Sequence, residues 1–301
     1  MDVTSYLLGK KAGGGSAPVL QDKEVEITEN GETTITADSG YDGLSSVDVT
    51  TNVQSGGGKY APNYFSFRNY TGNNLDYETS NLDVSNITNM SNIFTWCQNL
   101  TTLDLSNWNT SNVTSMSNMF SNDYSLTTVD LSNIDTSNVN DISYMFSTCH
   151  NLLNIYGIND LDTSNVSNMT KAFSSISGIG GTAHMLSLNL SNWNTSNTTT
   201  MTQMFAECLY LQSLNLAGFT TEKLTNTNLM FNNCVSLKFL DIRNMDLTTI
   251  SNYTNMFGNQ SSTYVPSYCE IIVKDATQKQ WLNTNFSRLT NVKTVAEYEG
   301  S

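Results

Sequence analysis

Charged residues are scarce in this sequence of 301 residues, and prolines are scarcer still. Only 13% of the residues are charged, with 27 acidic against 13 basic side chains, and the net charge is -14. There are three prolines. Binding to nucleic acids or to anionic membranes depends on Lys and Arg neutralising phosphate charge, so this composition argues against both functions. The length, in contrast, is sufficient to bury a large core without disulfides or metal ions.

Long apolar segments are also lacking. No run of residues approaches the roughly 18 apolar positions that a membrane-spanning helix requires. The N-terminus, MDVTSYLLGKKAGGG, lacks the basic-then-apolar order of a signal peptide, because its apolar part covers only residues 6–8 and is followed by Lys10 and Lys11. Nothing at the C-terminus resembles a wall anchor. We therefore expect a protein that is made and folded inside a cell.

Motifs for catalysis and metal binding are missing as well. The two histidines, His150 and His184, lie in different parts of the sequence, and neither belongs to a motif. The five cysteines form no CxxC pair that would indicate a zinc or redox site. Residues 178–181 (GIGG) lack the Lys and the strand-turn-helix context of a phosphate-binding loop. The sequence therefore predicts a protein that is not an enzyme and that holds neither a cofactor nor a metal ion.

A repeated motif occupies most of the sequence. A phenylalanine follows a Met-rich segment seven times, at intervals of 26, 26, 27, 32, 26 and 26 residues: Phe94, Phe120, Phe146, Phe173, Phe205, Phe231 and Phe257. Self-similarity at a period between 20 and 50 residues is typical of a stacked solenoid. Each unit combines one half such as TSNVTSMSNMF (110–120) with a second half such as LTTLDLSNW (100–108).

The LTTLDLSNW half predicts a short strand. Leu103 and Leu105 are two residues apart and should face inward, with Asp104 between them pointing outward. Stacked units would then form a parallel sheet. The predicted fold class is an α/β solenoid, a leucine-rich-repeat-like array of about seven 26-residue coils with a parallel sheet on one face and short helical turns on the other. A small β-rich N-terminal segment precedes it.

The TSNVTSMSNMF half predicts the helical turns. Val113, Met116 and Met119 are spaced by three residues, which fits one apolar face of a short helical or 3₁₀ turn. The recurring Asn, Ser and Thr residues are suited to satisfying backbone groups between units. A glycosylation role for the Asn-x-Ser/Thr triplets is disfavoured without a secretory signal.

Four of the cysteines lie three residues after a phenylalanine, at Cys97, Cys149, Cys208 and Cys234. A recurring cysteine at one core position favours packing over reactivity, and we expect thiols in a reducing compartment. Whether Cys208 and Cys234, which belong to adjacent units, ever pair stays open. Asp123 and Ile176 replace the cysteine in two other units.

Two resemblances rest on these residues. The pattern of residues 161–173 (LDTSNVSNMTKAF) and 97–108 (CQNLTTLDLSNW) resembles the 26-residue repeat of BspA-type leucine-rich repeat surface proteins, over about residues 82–259. This resemblance implies a leucine-rich solenoid used for binding, often for adhesion, without enzymatic activity. Residues 5–15 and 27–53 resemble N-terminal segments of tail-fibre or accessory tail proteins of phages and prophages.

The predicted organisation has five parts. Residues 1–54 form a β-rich attachment segment with strands at 25–28, 33–36 and 47–50. Residues 55–59 form a Gly-rich linker. Residues 60–81 form an aromatic N-terminal cap, residues 82–263 form the solenoid, and residues 264–301 form a C-terminal strand-helix-strand cap.

Two surfaces are candidates for ligand binding. The first is the outward face of the strands, whose hydroxyl, amide, carboxylate and aromatic side chains suit a glycan or a polar protein surface: Asp104, Asp130, Tyr156, Asn189, Asn215, Asp241, Thr102, Thr128 and Phe239. A solvated sheet face is the alternative. The second is an insertion in the fourth unit, either a recognition loop or a neutral insertion: Ser177, Gly178, Ile179, Gly180, Gly181 and His184.

The sequence and its resemblances favour a tail-associated receptor-binding protein of a phage or prophage. In this hypothesis the N-terminal segment binds tail or baseplate proteins, with possible homo-oligomerisation, and the solenoid binds a glycan or protein of the host surface. The protein would be made in the host cytoplasm and located in the virion tail. The alternatives are a bacterial surface adhesin of the BspA type and a structural scaffold without a ligand. Ligand identity, oligomeric state and independent folding of the N-terminal segment stay open.

Overall fold

The computed structural model describes residues 32–35, 47–52, 61–66, 84–85, 87–178, 184–258 and 264–300. The predicted strand at 25–28 and the predicted linker at 55–59 lie outside these residues. Among the described residues, no helix has both the length and the apolar character needed to cross a membrane.

The N-terminal part contains an antiparallel sheet of three strands, β1 (Glu32–Ile35), β2 (Val47–Asn52) and β3 (Ala61–Ser66), in the order β1-β2-β3. β1 and β2 correspond to two of the predicted strands. β3 lies in the segment that the sequence indicated as an aromatic cap, and it contains Pro62, which is compatible with an edge strand. The register of β2 against β3 shifts between Thr50 and Thr51.

Eight further strands form two parallel sheets within the described residues. The first sheet contains β4 (Thr102–Asp104), β5 (Thr128–Asp130) and β6 (Asn154–Tyr156). The second contains β7 (Ser187–Asn189), β8 (Ser213–Asn215), β9 (Phe239–Asp241), β10 (Glu270–Val273) and β11 (Val292–Thr294). With few helices beside these sheets, the architecture is compatible with an α/β repeat-like fold. The central residue of each strand from β4 to β9 is buried, as the Leu103 and Leu105 alternation predicts.

The pairing of parallel strands is interrupted once in the described part of this region, between β6 and β7. β4, β5 and β6 begin at residues 102, 128 and 154, whereas β7 begins only at residue 187. The extra residues of the fourth unit come directly before β7, and residues 179–183 among them are not described. The interruption therefore coincides with the unit whose length differs from the others.

Opposite the strands, seven residues are joined in succession by parallel bridges: Asn89, Ser115, Asp141, Asn168, Thr200, Asn226 and Asn252. We call the stretch of chain from one of these bridge residues to the next a layer. Unlike the strands, the bridges continue through the fourth unit, where Asn168 pairs with Thr200. Neighbouring layers are thus held together on this side along its whole described length.

The Met-rich segments beside these bridges are successive hydrogen-bonded turns and not helices, where the sequence predicted short helical or 3₁₀ turns. In one such segment the Met119 amide donates to the Met116 carbonyl at 3.3 Å, which closes a turn. The Asn118 amide instead donates to the Ser143 carbonyl of the next layer at 2.8 Å. Every second amide of the segment donates to a neighbouring layer. The uninterrupted series of hydrogen bonds within the segment that a helix needs is therefore absent.

Two positions of the turn segments have left-handed backbone wherever both are described. Asn118 and Asn122 have φ values of 56° and 66°. The same positions are left-handed in the other layers, where the residues include Asn92, Tyr144, Lys171, Gln203 and Asn255. Asparagine tolerates this region better than most residues, so the frequent Asn in the repeat has a conformational reason.

The seven phenylalanines form a buried column through the layers. Consecutive rings stack with centroids 5.1 to 5.8 Å apart, from Phe94 to Phe257. The cysteines beside the column are buried thiols, and the Sγ of Cys149 donates to the Phe120 carbonyl at 3.0 Å. Equivalent bonds run from Cys208 and Cys234, so the expectation of packed thiols agrees with the structure.

The C-terminal residues cover the last layer. The helix α1 (Ala276–Asn285) follows β10, and α2 (Val295–Glu299) follows β11. Asp275 caps α1 by accepting hydrogen bonds from the amides of Thr277 and Gln278. Short 3₁₀ helices at Ile158–Asp160 and Leu247–Thr249 complete the helical elements of the described chain.

Candidate functional site

The residues at the ends of the strands, which the sequence predicted to bind a ligand, stabilise the turns that follow. In five strands the last residue is Asp or Asn, and its Oδ1 accepts a hydrogen bond from the amide two residues later, at 2.8 to 3.1 Å: Asp104, Asp130, Asn189, Asn215 and Asp241. Such bonds stabilise the tight turn that follows each strand. The recurrence of Asp and Asn in this column is therefore explained without a ligand.

Tyr156 is the exception in this column. Its side chain cannot cap the turn, and the next residue is Gly157, with a φ of 75°. A side chain at Gly157 would be blocked, because a Cβ there would lie 2.6 Å from the Ser132 Cα. The glycine replaces the missing carboxylate by allowing a different turn, and the Tyr156 side chain remains 54% exposed.

Asp241 differs from the rest of the column in another way. It is buried, and its Oδ2 lies 2.7 Å from Nη2 of Arg243, which also contacts Glu299 at 3.2 Å. Asp241 is the chief cause of the raised pKa of the Arg243 guanidinium. Phe239 in the same strand is half-buried, with its ring 6.0 Å from that of Tyr298. These two residues serve the contact of β9 with the C-terminal helix α2 and offer little surface to a ligand.

Three exposed large side chains lie in or directly before β6 and β7, the strands on either side of the interruption. Leu153 is 38% exposed, Tyr156 54% and Leu186 51%. Asn154 and Ser187 beside them are exposed as well. We call these five residues the break surface. Thr102 and Thr128 lie on the same face in β4 and β5 and are half-buried.

The predicted recognition loop is only partly described. Ile179, Gly180 and Gly181 lie outside the described residues. Ser177 and Gly178 are buried, whereas His184 is half-exposed and its ring stacks on that of Tyr210 with centroids 3.7 Å apart. The buried hydroxyl of Ser177 and the Nδ1 atom of His184 have no hydrogen-bond partner. His184 is thus the described residue of this loop that presents a side chain outward.

A second group of rings was not predicted from the sequence. Trp96 contacts Tyr124 with ring centroids 5.8 Å apart, and Tyr124 contacts His150 at 5.3 Å. With His184 and Tyr210 they supply one ring after another along consecutive layers, and we call these five residues the ring strip. Trp96 lies two residues after Phe94, Tyr124 and His150 lie four after their phenylalanines, Tyr210 lies five after Phe205, and His184 lies eleven after Phe173. Because these positions differ, alignment of the repeats does not show the strip.

The two histidines of the sequence both lie in this strip. The pKa of His150 is lowered by partial burial and by His184, against an opposing effect of Glu207. The Glu207 carboxylate accepts a hydrogen bond from the Ser175 hydroxyl at 2.9 Å. His150 is consequently held in its neutral form at neutral pH, and its ring behaves as a polar aromatic side chain.

The described residues contain no cluster of three or more His, Cys, Asp or Glu side chains that could hold a metal ion. A cavity of about 40 Å³ lies at the C-terminal end between Phe257, Tyr264 and Phe286, which is far smaller than the sites that hold organic ligands. Among the described residues, the candidate binding sites are open surfaces.

Comparison with known proteins gives a family match. The family described as Mycoplasma protein of unknown function, DUF285, matches residues 64–182 and 157–266, which together cover more than half of the chain. It is the domain found in BspA-like surface repeat proteins. No curated protein matches the chain.

Proposed function

This chain belongs to the DUF285 family, and on that premise we propose that it is a non-enzymatic binding protein that attaches a phage or prophage tail to a bacterial surface. The layers would form one continuous solenoid of about seven 26-residue coils. The N-terminal segment would bind tail or baseplate proteins. The solenoid would recognise a glycan or protein of the host envelope.

The observation that carries this proposal is the break surface. Leu153, Tyr156 and Leu186 are exposed large side chains in or directly before β6 and β7, the two strands that flank the change in repeat length. Clustered exposed apolar residues with a polar rim are typical of interaction sites. Tyrosine is also among the residues that contribute most to binding energy at interfaces.

A second candidate function is that of a bacterial surface adhesin. Membership of the family found in BspA-like surface repeat proteins favours it. The resemblance of residues 5–15 and 27–53 to tail-protein segments favours the tail-associated function instead. Both candidates require the same thing of the break surface, namely contact with a cell envelope.

Binding of the full chain to bacterial cells tests the common part of both candidates. The protein carries a fluorescent label and is titrated onto cells of candidate hosts, with binding read by flow cytometry. Replacement of Tyr156 by Ser should weaken binding by at least about tenfold, as expected for a central aromatic contact. The matched control is Tyr268→Ser, because Tyr268 is 59% exposed and lies beside β10, away from the interruption.

Equal loss of cell binding in both variants, or no loss of cell binding in Tyr156→Ser, would contradict a binding role for the break surface. The tail attachment is tested separately. Antibodies against the full chain are used to label purified phage particles or particles from an induced prophage. Label at the tail tip supports the tail-associated candidate. Label on the producing cell surface, with none on particles, supports the adhesin.

A further inference from the structure

Five ring side chains of the ring strip follow one another along the layers: Trp96, Tyr124, His150, His184 and Tyr210. Trp96 is 37% exposed and Tyr210 42%, and the three rings between them are half-exposed. The same layers bury seven phenylalanines, so they can accommodate aromatic side chains in their core. The exposure of these five rings therefore needs a separate explanation. Trp96 meets Tyr124 at an interplanar angle of 87°, and Tyr124 is tilted by 31° from His150, so a glycan along this row would contact exposed ring faces and edges.

The first three rings of the strip are 5 to 6 Å apart, whereas His184 and Tyr210 stack on each other with centroids 3.7 Å apart. The centroid distances of 5.8 Å between Trp96 and Tyr124 and 5.3 Å between Tyr124 and His150 follow from the pairing of neighbouring layers. One pyranose ring of an extended β-1,4-linked glycan advances by a closely similar length. Consecutive sugar rings could therefore meet Trp96, Tyr124 and His150 without bending of the glycan.

Among the described residues, two small ones lie at the middle of the strip. Gly178 lies against the edge of His150, and a Cβ at that position would lie 3.2 Å from the His150 Cδ2. Ser177, the residue before it, is buried, and its carbonyl accepts a hydrogen bond from the Tyr210 amide at 3.3 Å. These two small residues connect His150 to Tyr210 as a floor, and the Ser177 hydroxyl in it has no partner.

Polar groups accompany the rings on one side. The Asn122 Oδ1 accepts hydrogen bonds from the Tyr124 hydroxyl at 3.3 Å and from the Thr148 hydroxyl at 2.8 Å. In the later layers Ser175 and Glu207 occupy the corresponding place. Amide, hydroxyl and carboxylate groups beside stacked rings are the combination that binds the hydroxyl groups and the apolar faces of sugars together.

The charge of the protein limits the kind of glycan. The net charge of -14 and the Glu207 carboxylate beside His150 disfavour polyanions such as teichoic acids or uronic acid polymers. We infer that the ring strip binds an extended, uncharged β-linked glycan chain of a cell envelope. This inference rests on the proposed function for its biological setting, and it assigns the glycan to a surface other than the break surface.

Calorimetric titration of the full chain tests the inference directly. The probes are β-1,4-linked oligomers of N-acetylglucosamine and of glucose, from dimer to hexamer, with maltohexaose as an α-linked control and oligogalacturonate as an anionic control. Affinity should rise with the length of the β-linked oligomers. Tryptophan fluorescence should change on binding through Trp96, because Trp108 and Trp193 are buried and Trp281 packs against Tyr253 and Phe286 at the C-terminal end.

Replacement of Tyr124 by Ala should weaken binding of the longest oligomers by about fivefold to tenfold, as expected for loss of one stacking contact. Tyr210→Ala gives a second variant in another layer, and Tyr268→Ala is the control. Unchanged thermal unfolding in each variant excludes misfolding as the cause. Equal binding of all oligomer lengths, preference for the anionic control, or unchanged binding in both strip variants would overturn the inference.

The same variants on cells distinguish this inference from the proposed function. Loss of cell binding in Tyr156→Ser alone, with no oligomer bound, contradicts the glycan site and leaves the proposed function standing. Oligomer binding that depends on Tyr124, without binding to any cell, supports the glycan site and contradicts the proposed function. Cell binding that is removed by protease treatment of the cells, and unaffected by Tyr124→Ala, identifies a protein ligand and overturns the inference.

Discussion

The two sides of the layered part of the molecule differ in their regularity. On the side of the phenylalanine column, bridges join every pair of neighbouring layers from Asn89 to Asn252. On the strand side, pairing stops between β6 and β7 in the described chain, and three exposed large side chains lie in or directly before these two strands. The same sequence change, extra residues in the fourth unit, is thus absorbed on one side and disrupts the other.

This difference separates two uses of sequence variation. Positions that repeat, such as the phenylalanines, make identical contacts in each layer and stabilise their neighbours on both sides. Positions that depart from the repeat, such as Tyr156 and Gly157, change a local turn while the bridges hold the layers in place. We expect stability to depend on the first kind and binding on the second.

The largest effect should come from the phenylalanine column. Phe146 is fully buried between Phe120 and Phe173, at ring distances of 5.1 and 5.6 Å. Phe146→Ala should lower the free energy of unfolding by about 3 to 5 kcal/mol, because it removes a large core side chain and leaves a cavity. Urea denaturation followed by circular dichroism measures this.

The matched variant for the strand side is Tyr156→Ala, which should change the free energy of unfolding by less than about 0.5 kcal/mol. Comparable losses in the two variants would contradict the proposed division between the sides. Because layered proteins can unfold in parts, the transition should be followed by two spectroscopic probes. Separate midpoints for the two probes would show that the layers unfold independently.

A stabilising change is expected at Asp123, which occupies the core position that holds cysteine in other layers. Its Oδ1 accepts a hydrogen bond from the Cys97 amide at 2.7 Å, but Oδ2 is buried without a partner. Burial raises the pKa of this carboxyl well above its ordinary value. Asp123→Cys should increase the free energy of unfolding at neutral pH by about 1 to 3 kcal/mol, since it removes an unsatisfied polar group.

The direction of the pH dependence provides the control. A carboxyl with a raised pKa in the folded protein favours folding most below its ordinary pKa of 3.8, and this contribution is lost as the pH rises through the folded-state pKa. Asp123→Asn removes the ionisation but keeps the shape. Both variants should therefore gain stability over the original chain as the pH rises above about 4, and an equal pH profile in all three would contradict the buried ionisable carboxyl.

The extent to which the sequence could predict this fold depends on the half of the unit. The strand half was predictable, because alternation such as Leu103, Asp104 and Leu105 has one structural meaning. The spacing of Met116 and Met119 by three residues has two, since successive turns and a helix place the same side chains inward. The choice between them depends on bonds such as Asn118 to Ser143, which join different layers and leave no local signal.

The candidate site was less predictable for a related reason. Aspartate and asparagine at strand ends suit both turn capping and ligand binding, and only the bond from the Ser132 amide to Asp130 distinguishes the two. Tyr156 departs visibly from the column, so its exposure could be anticipated. Trp96, Tyr124 and Tyr210 occupy unequal positions in their repeats, and their alignment depends on how the chain turns after each phenylalanine.

The turn-capping column allows a prediction of intermediate size. Asp130 Oδ1 accepts a hydrogen bond from the Ser132 amide at 2.9 Å on the surface of β5. Asp130→Ala should lower the free energy of unfolding by about 0.5 to 1 kcal/mol through loss of this bond, whereas Asp130→Asn should retain it. Neither variant should alter binding to cells if the column is structural. Weaker cell binding in Asp130→Asn with unchanged stability would return Asp130 to the binding site.

The smallest effect should come from His150. This residue belongs to the ring strip and also packs against Tyr124 of the neighbouring layer. Its pKa is lowered in the folded protein by partial burial and by His184, while Glu207 opposes the shift, and the rings of Tyr124 and Tyr210 lie in the same strip. The unfolded chain then binds the proton more readily than the folded protein. The contribution of His150 to the free energy of unfolding is therefore fully present above the ordinary histidine pKa of 6.5. It is lost as the pH falls through the lower pKa of the folded protein.

Because His150 is partly exposed, solvent screening should limit the loss to roughly a few tenths of a kcal/mol. His150→Gln should remove this loss of stability at acidic pH. The measurement is the difference in unfolding free energy between the variant and the original chain from neutral to mildly acidic pH. The same acidification should weaken oligosaccharide binding, since a charged imidazole requires solvation that a stacked sugar would displace. A larger loss of stability in the variant than in the original chain on acidification would show that the protonated ring is stabilised by Glu207, and the strip would then favour an anionic ligand at low pH.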